Sequence, residues 1–125
     1  MKVVLDTNSL IHYFTNDLPD KAEKVKKILE NEKQVSIPDV VFPELEYILV
    51  GKYKIPRDEF IDILHFLLSL TNVKLPQHIT QAVRLFESTK LDLADSMIAA
   101  QSVKGKLASF DKELLRVEMV KPFWK

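Results

Sequence analysis

Five acidic side chains stand where acids do chemistry as readily as they solvate a surface. Asp6 follows the apolar run Val3-Val4-Leu5, and Asp111 follows Leu107-Ala108-Ser109-Phe110. Short β-branched runs read as buried strands, and open α/β sheets gather ligands at the carboxyl ends of their strands. Glu44 shares a helical stripe with Val41 and Ile48, which predicts a carboxylate that is buried or lines a cavity. A buried ionised group needs a cation. Glu46 falls off that stripe and is expected in water. Asp92 and Asp95 stand three apart at the head of an alanine-rich helix, with Ile98 and Ala99 on the face of Asp95. Each acid also has a plainer reading. Aspartate is a preferred helix N-cap, and acids in a first turn answer the helix dipole. For Asp6 and Asp111 the two readings stay open.

As a set these acids imply a divalent ion. Carboxylates brought together repel, and a bound cation removes that penalty. Oxygen donors suit Mg²⁺ or Mn²⁺. Zinc is not expected, because the chain has no Cys and its His12, His65 and His78 are scattered. His65 lies within an apolar helix and is expected as a core histidine.

Alternating elements must position the acids. Strands are predicted at Val3-Val4-Leu5, Val35-Ser36-Ile37, residues 72–75, Leu107-Ala108-Ser109-Phe110 and residues 117–120. Between them, helices are predicted from Leu10, from Pro19, from Pro38 to Leu49 with Gly51 closing it, from Pro56 to Leu70, over residues 79–88, from Asp92 to Val103, and over residues 111–115. Strand–helix alternation means a parallel sheet covered on both faces.

The composition excludes several classes. At 125 residues, one domain over residues 1–125 is expected. Without Cys there are no disulfides, thiolate metal sites or cysteine nucleophiles, which suits a reducing, cytoplasmic setting. With only two Gly, neither a Walker pattern nor a GxGxxG can be written. Asp6 interrupts the opening apolar run too early for a secretory core, and Asp62 and His65 break the most apolar stretch far short of a membrane span. Lys+Arg and Asp+Glu balance at 18 each. If the five acids form one pocket, 13 acids remain against the 18 bases, leaving a shell of net +5 around a negative hole. Engagement of any polyanion is then expected to depend on the divalent ion.

Four blocks in order carry a resemblance over almost the whole chain. They are Val3-Val4-Leu5-Asp6-Thr7-Asn8, the segment Ile37-Pro38-Asp39-Val40-Val41 leading to Glu44-Leu45, the block Leu91-Asp92-Leu93-Ala94-Asp95-Ser96-Met97-Ile98-Ala99-Ala100, and Ser109-Phe110-Asp111-Lys112-Glu113-Leu114. Together they resemble PIN-domain ribonucleases, in particular VapC-type toxins of toxin–antitoxin pairs. The resemblance implies an α/β/α three-layer sandwich around a mainly parallel sheet. It also implies an acidic pocket for Mg²⁺ or Mn²⁺. Carried over by position, Asp6, Glu44, Asp95 and Asp111 match the family's acidic quartet, and Asp92 a frequent additional acid. Asn8 and Ser109 match polar positions beside them, Ser109 standing where many relatives have Thr. The implied roles make Asp6 the central ligand, with Glu44 and Asp95 completing it. Asp111 and Asp92 hold a second ion or its waters, while Asn8 and Ser109 fix carboxylate rotamers. An RNA substrate, a homodimer and a small antitoxin are the implied partners, with no membrane.

Other readings fit less well. A response-regulator receiver needs an acid pair after its first strand, and only Asp6 is present. Haloacid-dehalogenase-like phosphatases need Asp-x-Asp there, and Asn8 takes the second place. A PIN-like module that binds without cutting should lose acids, whereas the quartet is intact. An RNA-processing nuclease outside a toxin–antitoxin pair would share every motif above. The helix from Pro56 to Leu70 reads as apolar nearly all round and is expected to meet a partner. Lys52, Lys54 and Arg57 form a basic corner that reads as a solvated loop.

Overall fold

The computed structural model describes residues 1–124. Its contacts divide the chain into two compact units, Met1–Pro76 and Gln77–Lys125.

The first unit is built on three short parallel strands, β1 (Val3–Val4), β2 (Val35–Ser36) and β3 (Val73–Lys74), in the order β1-β2-β3. Val3 pairs with Val35 and Val35 with Val73, so β2 is central. Backbone bonds beyond the strands extend the ladder: Leu5 N–H donates to Ser36 O at 3.0 Å, and Ile37 N–H to Lys74 O at 3.2 Å. Leu5, Val35, Ile37 and Val73 are buried. Parallel neighbours need a long crossover, and each crossover here is helical, giving the expected α/β class with a parallel sheet.

From β1 the chain enters α1 (Thr7–Thr15) and α2 (Pro19–Asn31). α1 ends on Asn16 in the left-handed region, φ 53°. Pro19 opens α2, where a missing N–H costs nothing. Ala22, Val25 and Leu29 form its buried stripe. Asn72 Nδ2 donates to Leu29 O and Glu32 O at 2.9 and 2.8 Å, satisfying carbonyls at the end of α2.

From β2 the chain enters α3 (Val41–Leu45), which continues as a π-helical segment, Glu46–Lys52. This corrects the expectation that Gly51 closes an α-helix. Gly51 lies inside the π segment without a positive φ, and Tyr53 N–H donates five residues back to Ile48 O. The wider turn takes up more chain, so the left-handed residue is Lys54, φ 61°. α4 (Arg57–Ser69) buries Phe60, Leu64 and Leu67 completely. Asp58, Asp62, His65 and Ser69 are exposed, giving the helix a polar face and correcting both the all-round apolar reading and the core placement of His65.

The second unit contains α5 (Ile79–Ser88), α6 (Leu93–Gln101) and α7 (Lys112–Leu115). α5 packs on α6, whose small residues Ser96, Ala99 and Ala100 are fully buried. The strand predicted over residues 107–110 is a single parallel bridge, Leu107 to Pro122. Proline has no N–H to continue a ladder. Residues 117–120 form a turn rather than a strand, with Val120 N–H on Val117 O at 2.9 Å. No helix among the described residues is long and apolar enough to cross a membrane.

The packing of α4 gives a direct prediction. Leu64→Ala should cost about 2–5 kcal/mol, because it leaves a cavity. Asp62→Ala on the exposed face should stay within about 0.5 kcal/mol. Urea unfolding of both variants checks the contrast.

Candidate active site

In the first unit the acids sit around the start of α1. Asp6 is the N-cap: its backbone is extended (φ −93°, ψ 176°) and Oδ1 accepts from Ser9 N–H at 2.9 Å. That bond holds the Asp6 carboxyl below its ordinary range, helped by the Ser9 side chain, against a smaller opposing effect of burial. Thr7, the next residue, is buried, and its hydroxyl donates to Glu44 Oε1. Ser9 and Thr7 in the first turn of α1 thus hold one candidate acid by a backbone cap and orient another across 37 positions of sequence.

Glu44 differs from expectation in its burial. It is exposed, whereas Glu46 is half-buried. Both the three- and four-residue steps from Val41 are helical neighbours. The core takes the line Val41, Leu45, Leu49 together with Phe42, and leaves Glu44 on the flank.

In the second unit two acids are also caps. Asp92 Oδ1 accepts from Asp95 N–H at 2.8 Å at the start of α6. Asp111 Oδ1 accepts from Glu113 N–H at 2.9 Å and from Leu114 N–H at 3.3 Å at the start of α7. A carboxylate has about four acceptor positions, so these caps occupy only part of each group. Ser109 Oγ accepts from Asp111 N–H at 3.0 Å, so this serine fixes the backbone that carries the acid. Asn8 is exposed in the first turn of α1, and the bond to Asp6 comes from its neighbour Ser9.

Asp95 is the acid that no cap stabilises. It is half-buried in the first turn of α6. The buried line of that helix is Leu93, Ser96, Ala99 and Ala100, while Ile98 is 45% exposed, so Asp95 lies at the edge of the core rather than within it. Burial pushes its carboxyl above the ordinary range, and the charges of Asp92, Asp111 and Glu113 push it the same way. The second unit therefore brings Asp92, Asp95 and Asp111 into one electrostatic neighbourhood. Taken unit by unit, no three His, Asp or Glu side chains among the described residues converge as a metal-holding group.

Three contributors went unread in the sequence: Thr7, Ser9 and Glu113. Glu113 had a signal, since it lies two residues beyond Asp111. Thr7 had only its place beside Asp6, because its partner is remote in sequence.

A parallel sheet with helical crossovers in the first unit, and acids at helix starts in each unit, fit a class that the family comparison names. The PIN domain family matches residues 3–119, across both units, and the chain belongs to that family. PIN domains are usually nucleases, and ribonuclease activity is known at the level of the family. Neither the curated proteins nor the solved structures returned a match.

The charge around Asp95 sets a pH dependence. A carboxyl raised in the folded state binds its proton more tightly there than in the unfolded chain, so stability falls as pH rises through the carboxylate range. Asp95→Asn removes that loss. In EDTA its melting temperature should exceed the wild type's at neutral pH, and the gap should close as the pH falls below the ordinary aspartate value. Calorimetry across pH reads both.

Proposed function

We propose that this chain is a Mg²⁺- or Mn²⁺-dependent ribonuclease that hydrolyses RNA phosphodiester bonds and acts as the toxin of a toxin–antitoxin pair in the cytoplasm. The observation that carries the reading is membership of the PIN domain family over residues 3–119, beside which stands Asp95, a half-buried carboxyl set among the charges of Asp92, Asp111 and Glu113. Such a set is unfavourable alone and suits a hard divalent cation, whose preferred donors are carboxylate oxygens. By the family resemblance, Asp6, Glu44, Asp92, Asp95 and Asp111 are the residues that would hold it. When bound, the ion supplies neutralisation of the phosphate charge and an activated water.

The remaining work belongs to the chain. Ser9 N–H keeps the Asp6 carboxyl ionised and aimed. Thr7 limits the rotamers of Glu44. Ser109 sets the Asp111 backbone, and the first-turn N–H groups of α7 orient its side chain. Support of this kind around ligands is worth about 10- to 100-fold in metal affinity. His12 is engaged by Asp17, Nδ1 to Oδ1 at 2.8 Å, which leaves the acids as the proton-handling groups of this reading.

For the partner roles, a groove of about 500 Å³ in the first unit is lined by Tyr13, Phe14, Pro19, Ala22, Lys26 and Phe66. Its aromatic rings pack with centroids 5.1–6.0 Å apart. Asn16 and Glu23 complete its lining, so it offers a mixed aromatic and polar surface for the proposed antitoxin or a second copy.

Mixed RNAs incubated with Mn²⁺ should be cut at mappable ends by the wild type and left intact by Asp6→Asn and Asp95→Asn. Mn²⁺ should also raise the melting temperature of the wild type more than that of either variant. Intact RNA together with no Mn²⁺-linked rise would establish a binding module instead. Co-expression with the product of an adjacent gene, scored by growth, tests the toxin role.

A further inference from the structure

Next to Asp111, the second unit carries an aromatic surface that the acids do not explain. Phe110 and Trp124 stack with ring centroids 4.8 Å apart and planes within 9°, and Phe123 meets Trp124 edge-on at 5.5 Å. Phe110 remains 86% exposed despite the stack, so Trp124 covers one face of its ring and the other is open. Trp124 and Phe123 are themselves 50% and 58% exposed. Large apolar side chains gathered in water mark an interaction site.

The pair is held in place rather than trailing. Leu107 N–H donates to Lys121 O at 2.7 Å, and Phe123 N–H donates to Leu107 O at 2.8 Å. These bonds close the bridge from Leu107 to Pro122 and tie the segment bearing Trp124 to the one bearing Phe110. Ordering is thereby spent before any ligand arrives, which favours binding. The exposed lysines Lys106, Lys112 and Lys121 adjoin the two segments in sequence, with the exposed acids Asp111, Glu113 and Glu118 between them.

We infer that the open face of Phe110, backed by Trp124, is a stacking platform for a base of single-stranded RNA, with Lys106, Lys112 and Lys121 meeting the adjoining phosphates. The inference rests on the ribonuclease reading and adds to it a substrate contact. An exposed aromatic face with lysines close by in the chain is a combination that holds single strands, since every base offers a π-face and every link a negative charge. A purely apolar partner would find lysines at the rim. Phe110 directly precedes Asp111 in the chain, so the platform and a proposed catalytic acid are carried by the same short segment. A platform of this kind favours unpaired RNA over a duplex and is tolerant of base identity.

Trp124 is the only tryptophan of the chain and reports on its own stack. The full chain bearing Asp95→Asn, which leaves RNA uncut, is titrated with a short unstructured oligoribonucleotide while tryptophan emission is read. Binding should quench the emission, and an oligomer with abasic positions should bind more weakly. Adding Phe110→Ala should weaken binding roughly 5- to 100-fold, Phe110→Leu should do the same, and Phe110→Tyr should restore it. Thermal melts of each variant confirm folding. Equal affinity for Phe110→Ala, or binding without quenching, overturns the platform, as does a loss of self-association in Phe110→Ala with RNA affinity unchanged. Wild-type cleavage with Mn²⁺ is assayed in parallel. RNA bound through Phe110 yet left uncut removes the ribonuclease reading alone, whereas equal cutting with and without Phe110 removes the platform alone.

Discussion

Three helices of this protein begin on an aspartate whose side chain accepts from the helix's own first-turn amides: Asp6 for α1, Asp92 for α6 and Asp111 for α7. A helix start leaves several N–H groups without partners, and an acceptor placed there is worth about 1 kcal/mol. The same bond fixes the acid in space. Much of the candidate site therefore depends on an interaction that first serves secondary structure. Capping and chemistry are compatible because a cap engages one oxygen of a carboxylate and leaves acceptor capacity over.

Asp95 shows the other side of that arrangement. It lies within the first turn that Asp92 caps, and its own amide is the donor. No equivalent bond lowers its carboxyl, so burial and neighbouring acids raise it. Asp6 is displaced the opposite way by Ser9. Two acids of one residue type, each at the head of a helix, are thus driven apart by their hydrogen bonds and surroundings.

Much of the architecture was legible along the chain. α5 has the bounds its apolar spacing predicts, and β2 and β3 fall within the expected runs. Periodicity reads well there because a buried stripe is a local pattern. It failed where the outcome depended on a partner. The run at residues 107–110 has strand composition, but Pro122 opposite it cannot extend a ladder. Gly51 has the look of a helix stop, but the π-helical turn carries the chain past it to Lys54. His65 sits among apolar residues in sequence, yet it shares the exposed side of α4 with Asp62 and Ser69.

The sequence by itself determined the class of protein, the parallel strand–helix order and the identity of the candidate acids. Residue type, short-range spacing and the order of four blocks are local properties and survive without coordinates. Only the tertiary structure decided how each acid is held: Glu44 exposed under the Thr7 hydroxyl, Asp95 half-buried among acids that include Glu113, and Phe110 stacked on Trp124. The bond to Glu44 and the stack on Phe110 join groups far apart in the chain, and the field at Asp95 sums charges from α6 and α7. Spacing along one chain carries no information about which distant groups will meet.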